Sequence, residues 1–341
     1  QSVLPTCYHG FQWSAEQFQH LEPVGDYLSP NLTNAYRSEG LGVPLVVSRN
    51  VTNPRPFTRP EQSFAATAIV RYSQTADAYQ LEFYDPLRKS NVLIGNCSVP
   101  IVRDLSAPIA YVSMDDGRQW LKNFLQPGAT GAGDGLFMSE PYQSGKIPVV
   151  FVHGLLSDPR TWTDLFNELR NQPDLTARFQ WWGFQYATGE PFLTSAASLR
   201  RQLHELRMTY DPQRQDLAFS QIVLIGHSMG GIVAKLQVTS SSDQLWRATA
   251  KRPLATIVAD ELTRRDLRSA FFFQPSSDVR RVIYIGTPHA GSAWARRPVG
   301  RLGSMLVKPA AGTVARHQQL VDDNPGVFHE ELRKRFPTSI D

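Results

Sequence analysis

Residues 222–233 read Ile222-Val-Leu-Ile-Gly226-His227-Ser228-Met229-Gly230-Gly231-Ile232-Val233. The apolar, β-favouring run Ile222–Ile225 leads straight into the pentapeptide Gly-x-Ser-x-Gly, and Ile232–Val238 continues as a helix. The pentapeptide alone means little; its setting carries the information. A strand joined to a helix with no spare residues strains the backbone at the serine. Glycines two before and two after it remove Cβ atoms that would clash. Ser228 Oγ is then pushed out above the sheet edge. The start of the helix offers free N–H groups and a positive dipole end to developing negative charge. The competing reading is a glycine-rich turn with an incidental serine.

Working outward, Ile147–Val152 is a continuous apolar run ending at His153-Gly154, as expected for a strand buried on both faces. Asp158-Pro159 reads as a helix N-cap with proline at the first helical position. Trp162, Leu165, Phe166 and Leu169 then fall on one helical face. Phe179–Tyr186 is strand-like, Ala196, Leu199, Leu203 and Leu206 mark a second helix, and Val282–Ile285 reads as a third buried strand. Strands alternating with helices imply parallel pairing through right-handed crossovers.

Upstream the texture differs. Val43–Val47, Ala65–Tyr72, Tyr79–Tyr84, Asn91–Leu93 and Ile109–Val112 are short β-favouring runs, which suggest a small antiparallel sheet or sandwich. Residues 1–40 allow at most a short helix around Ala15–Leu21. The stretch 126–135 carries four glycines and reads as a linker. The expected organisation is therefore a β-rich region over 1–125, a Gly-rich linker over 126–146 and an α/β domain over 147–341.

Composition narrows the function classes. With 341 residues, 41% hydrophobic and 19% charged, the chain is not dominated by disorder. A net charge of +4 without a dense Lys/Arg stripe gives nucleic-acid binding no support. Cys7 and Cys97 cannot build a disulfide framework or a cysteine zinc site; they either form one bridge or stay as thiols.

The segment around Ser228 resembles the nucleophile elbow of the α/β-hydrolase family. Val149-Val-Phe-Val-His153-Gly154-Leu155-Leu156 is similar to the oxyanion loop of lipases and esterases. Ile283-Tyr-Ile-Gly286-Thr287-Pro288-His289-Ala290-Gly291-Ser292 is like a Gly-Thr-Pro-His-x-Gly-Ser run of lipase-like members. The likeness extends to bacterial lipase or esterase-like hydrolases and to GPI-inositol-deacylase-like hydrolases. It implies an α/β-hydrolase fold with a mostly parallel sheet, a serine esterase mechanism, and no metal or organic cofactor. Ser228 would attack, and the backbone N–H groups of Leu155 and Met229 would bind the oxyanion. His227 and His153 read as structural neighbours rather than bases.

A triad also needs an acid and a histidine, which in this family follow the serine in that order. After Ser228 stand only His289, His317 and His329, and no buried strand is legible after Ile285. The expectation is a sheet lacking its last strands, with acid and base beyond Asp341. The fallback uses His289 or His317 with Asp260, Asp266 or Asp278, and a third possibility is a degenerate hydrolase. Residues 239–278 carry Leu254, Ile257, Val258, Leu262 and Phe271–Phe273, either as a lid or as packing for a crossover. Phe184, Phe192 and Trp294 are candidates for a pocket lining.

The reading is a hydrolase of carboxylic, lipid acyl esters, with possible peripheral membrane association and no nucleic-acid partner. A silent binding or envelope module and an acyltransferase are the alternatives. The resemblance and a start at Gln1 suggest export to the bacterial cell envelope.

Overall fold

The structure, a computed structural model, describes residues 4–25, 32–50, 56–59, 61–73, 77–115, 135–155, 157, 159–188, 190–290 and 311–330. Asp158, Trp294 and nearly all of the Gly-rich stretch that marks the expected domain boundary lie outside them. By contacts the chain divides into two compact units. One comprises Gln1–Gly117, Met138–Tyr142 and Arg160–Phe179; the other comprises Arg118–Phe137, Gln143–Pro159 and Gln180–Asp341.

The first unit is built on a five-stranded sheet. Its strands are β1 (Thr6–His9), β2 (His20–Pro23), β4 (Val43–Asn50), β5 (Glu61–Ser73) and β6 (Ala78–Tyr84), and β3 (Arg37–Ser38) lies outside this sheet. The order is β1-β6-β5-β4-β2, antiparallel except for the β1–β6 pair. Alternation along β4 and β5 turns Leu45, Val47, Phe64 and Ala66 onto one face, where Trp13 stacks on Phe64 at 4.7 Å between ring centroids. Two shorter pairs complete the β structure: β3 with β9 (Arg103–Asp104), and β7 (Asn91–Ile94) with β8 (Cys97–Pro100).

Ile109–Val112 is not a strand. It lies within a helix, Ala107–Asp115, because Asp104 Oδ1 accepts from the amides of Ser106 (3.1 Å) and Ala107 (2.8 Å). That cap, with Pro108 near the first turn, outweighs the β-propensity of Ile and Val. Cys7 and Cys97 are unbridged thiols.

The helix Thr163–Arg170 belongs to this unit and is held by polar contacts. Asp164 accepts from Thr33 N and Oγ1 at 2.9 and 2.7 Å, and Asn167 Nδ2 donates to Asn34 O at 2.8 Å. Asn167 and Arg170 are buried, while Leu165, Phe166 and Leu169 are only half-buried. The apolar stripe is therefore not the helix's only inward face.

The second unit holds the sheet β10-β12-β11-β13-β14, formed by Gly135–Met138, Phe179–Gln185, Ile147–Val152, Ile222–His227 and Val279–Ile285 respectively. β11 and β13 pair in parallel with Val149 opposite Val223, and β13 and β14 pair in parallel with Ile225 opposite Ile283. Val150, Val152 and Leu224 are fully buried. The 19-residue helix Phe192–Tyr210 buries Ala196, Leu199, Leu203 and Leu206, as its spacing predicts.

One expectation fails here. β14 is not a buried strand: Ile283, Tyr284 and Ile285 are 48%, 38% and 40% exposed. Among the described residues it is the terminal strand of the sheet, with a neighbour on one side only.

A buried ion cluster fixes where β13 and β14 begin. Arg207 donates from Nε and Nη2 to Asp278 (3.3 and 2.8 Å) and from Nη1 to Asp211, while its guanidinium lies 4.0 Å from the Phe219 ring centroid. Arg214 adds a 2.7 Å pair to Asp278, whose carbonyl accepts from Ile222 N at 2.9 Å. The planar fork reaches two carboxylates and a ring at once, which an ammonium cannot do. Arg207→Lys is expected to lower stability by about 2 kcal/mol, since it keeps charge but loses bidentate geometry. Urea denaturation checks this; an unchanged midpoint would show that the fork contributes nothing. Among the described residues, no helix is long and apolar enough to cross a membrane.

Candidate active site

Ser228 sits where β13 ends and the helix Met229–Lys235 begins, with φ 52° and ψ −123°. A side chain with positive φ costs about 1–3 kcal/mol and is kept only where the surroundings impose it. Here they do so on three sides. Ser228 N donates to Ile285 O at 2.8 Å, and Gly231 N returns to Ser228 O at 3.1 Å. The glycines leave no room for side chains. A Cβ on Gly226 would lie 2.5 Å from Gly231 Cα, and one on Gly230 would lie 2.3 Å from the carbonyl oxygens of both Val152 and His153. A Cβ on Gly231 would fall 1.9 Å from Thr287 Oγ1. The elbow helix is thus wedged between the ends of β11 and β14, and that contact forces the bend at Ser228.

Ser228 is half-buried, and no described residue hydrogen-bonds its side chain. Met229 is the first residue of the helix, so its amide has no acceptor inside the helix. On the opposite side, a Cβ on Gly154 would meet Ser228 Cβ at 3.0 Å. The next amide, Leu155 N–H, makes no hydrogen bond among the described residues. Gly154 itself is held by Ser157, which exchanges hydrogen bonds with its N and O at 3.1 Å each.

His153 is buried at 1% exposure and serves the loop. Its Nε2 accepts from Tyr186 N at 3.3 Å, which places the ring proton on Nδ1, 3.0 Å from Gly154 O. Tyr186 stacks on the imidazole at 4.4 Å and donates its hydroxyl to His153 O at 2.7 Å. Burial pushes the Tyr186 hydroxyl far above the ordinary tyrosine range, so it stays a donor. Tyr186 is the contributor that sequence reasoning missed. The available signal was its place just past β12, the strand that neighbours β11.

Among the described residues, none of the fallback triad residues hydrogen-bonds Ser228. His289 is exposed and lies edge-on to Tyr284 at 4.6 Å. His317 is on the helix Ala311–Asp322, and His329 Nε2 lies 3.2 Å from Arg247 O. Asp278 belongs to the arginine cluster, and Asp266 pairs with Arg265 at 3.6 Å. Asp260 caps the helix Glu261–Phe271 through Thr263 N, which holds its carboxyl below the usual range. Phe184 is core, stacked on Tyr186 at 5.4 Å, and Phe192 is half-buried. In the segment 239–278, Ile257 and Phe273 are buried, with Arg200 over the Phe273 ring at 4.0 Å, while Val258 and Leu262 are exposed.

Residues 149–339 match the family model described as "Alpha/beta hydrolase family", more than half of the chain. The chain is an alpha/beta hydrolase. Its fold class follows: a hydrolase domain with parallel strands, and a β-rich region before it. Two solved structures are similar, both of the lipase BlEst2 of Bacillus licheniformis. The mature form is 20% identical, with 55% of this chain and 62% of that one covered and a TM-score of 0.30. The propeptide form is also 20% identical, with 56% and 36% covered and a TM-score of 0.29. The match thus spans less than two thirds of either lipase chain. Comparison with curated proteins gives no significant match.

Proposed function

We propose that this alpha/beta hydrolase cleaves carboxylic esters, with lipid acyl esters as the substrate class, through an acyl-enzyme on Ser228. The supporting observation is the strained positive φ of Ser228 at a strand-to-helix junction. Among the described residues its hydroxyl is uncommitted, and two amides beside it lack acceptors. Strain of this kind is stored at functional sites. Ser228 Oγ attacks the ester carbonyl carbon, its proton passes to a base, and the tetrahedral oxyanion is held by the Leu155 and Met229 amides. Collapse releases the alcohol, which takes that proton back, and water repeats the sequence to free the acid. The base is a histidine paired with an acid; none of the chain's eight histidines, all of them described, hydrogen-bonds Ser228. Export to the cell envelope and peripheral membrane contact are part of the same proposal.

A panel of p-nitrophenyl acyl esters of rising chain length, beside p-nitrophenyl phosphate, tests the reaction class. Turnover of the esters alone is expected; phosphate hydrolysis without ester hydrolysis would overturn it. In the same assay Tyr186→Phe removes the donor to His153 O and loosens the loop bearing Leu155. It should lower kcat about tenfold, equivalent to about 1.4 kcal/mol, with KM little changed. A pure KM effect would show that the loop serves binding instead.

A further inference from the structure

The helix Gln244–Thr249, the loop after it and the helix Glu261–Phe271 enclose a groove of about 620 Å³, within the range of small-molecule sites. Trp246, Ala250, Leu254 and Phe272 line it as an apolar floor. Trp246 is 3% exposed and spends its indole N–H on Arg252 O at 2.7 Å, so it backs the groove from beneath while half-buried Leu254 and Phe272 offer the accessible apolar surface. Four cations line the same groove: Arg247, Lys251, Arg252 and Arg268. Asp243, the single acid among the lining residues, pairs with Arg247 at 2.7 Å. Lys251, Arg252 and Arg268 have no acidic partner among the described residues. No residue of the Ser228 site takes part.

We propose that this groove binds a single-chain amphiphilic carboxylate, a fatty-acid-like anion, with its head on the Arg252 and Arg268 rim and its chain along Leu254 and Phe272. Excess positive charge at the mouth of an apolar trough fits a ligand with one anionic end and one hydrocarbon end. A trough also suits one chain better than the flat face of a bilayer. The inference stands whether or not Ser228 is a nucleophile.

Isothermal titration of decanoate into the full chain, beside decanol, acetate and inorganic phosphate, tests it. One saturable site is expected, with decanoate at least about tenfold tighter than the other three. Arg252 and Arg268 are exposed, so R252E/R268E should fold, as circular dichroism checks, and should weaken decanoate about tenfold or more. R252K/R268K should retain most of the affinity, while Ala255→Trp, which fills the groove, should abolish binding. Decanoate binding unchanged by charge reversal would place the ligand elsewhere and overturn the proposal. So would equal affinity for decanol, equal affinity for phosphate, or association only with anionic phosphatidylglycerol vesicles.

Discussion

Ser228→Ala should reduce kcat/KM for a short-chain p-nitrophenyl ester by about 10⁴-fold or more while leaving the circular dichroism spectrum unchanged. Removing the nucleophile of a serine hydrolase leaves only what oxyanion donors and binding supply, which is orders of magnitude less. The side chain makes no hydrogen bond among the described residues, so its loss costs the fold little. Methyl in place of CH₂OH also leaves the φ of 52° to be borne by the same neighbours. Activity and stability are therefore expected to separate. A variant with full activity would show that the turnover belongs to another residue, whereas joint loss of activity and fold would make Ser228 a structural residue.

The second large effect is expected at Gly230. An alanine there places its Cβ 2.3 Å from two carbonyl oxygens, Val152 O and His153 O, neither of which is the end of a flexible side chain. The elbow helix must move away from β11, carrying Met229 and Ser228 with it. A loss of about 3 kcal/mol or more is expected, or about 6–12 °C in Tm, together with esterase activity. Gly286→Ala is the matched control. Its φ is 58° and no described residue lies within 4 Å of the Cβ that alanine would add, so the expected cost is backbone strain, roughly 1–2 kcal/mol. If Gly230→Ala is no worse than this control, the wedged elbow is not what holds Ser228 in place.

Much of the site was legible because the elbow is local. Ile222–Ile225, the paired glycines and the helix after them lie within a dozen residues, and each demands the same turn. The strands β11 and β13 and the helix Phe192–Tyr210 were legible for the same reason, since burial follows their own periodicity. Failures came where something other than a segment's own β-propensity decides. Ile109–Val112 is helical because Asp104, a few residues upstream, caps the helix start beside Pro108, a local signal that the β-favouring Ile and Val masked. Ile283–Ile285 has the composition of a buried strand but no second neighbour among the described residues, and neighbours are a property of topology. Tyr186 acts on His153 across 33 positions of sequence, a contact no local pattern encodes. The acids weighed as triad members looked equivalent in sequence. Asp278 and Asp260 prove committed to an arginine cluster and a helix cap.

The central claim is that one hydroxyl, Ser228 Oγ, is the nucleophile. Peptide mass mapping after treatment with a fluorophosphonate tests it directly. Trypsin releases residues 215–235 as one peptide holding Ser220 and Ser228, and fragmentation tells them apart. The account predicts a single phosphonyl adduct on Ser228, formed in step with loss of ester hydrolysis. An adduct on Ser220 or in another peptide, or hydrolysis lost with Ser228 unmodified, would contradict it.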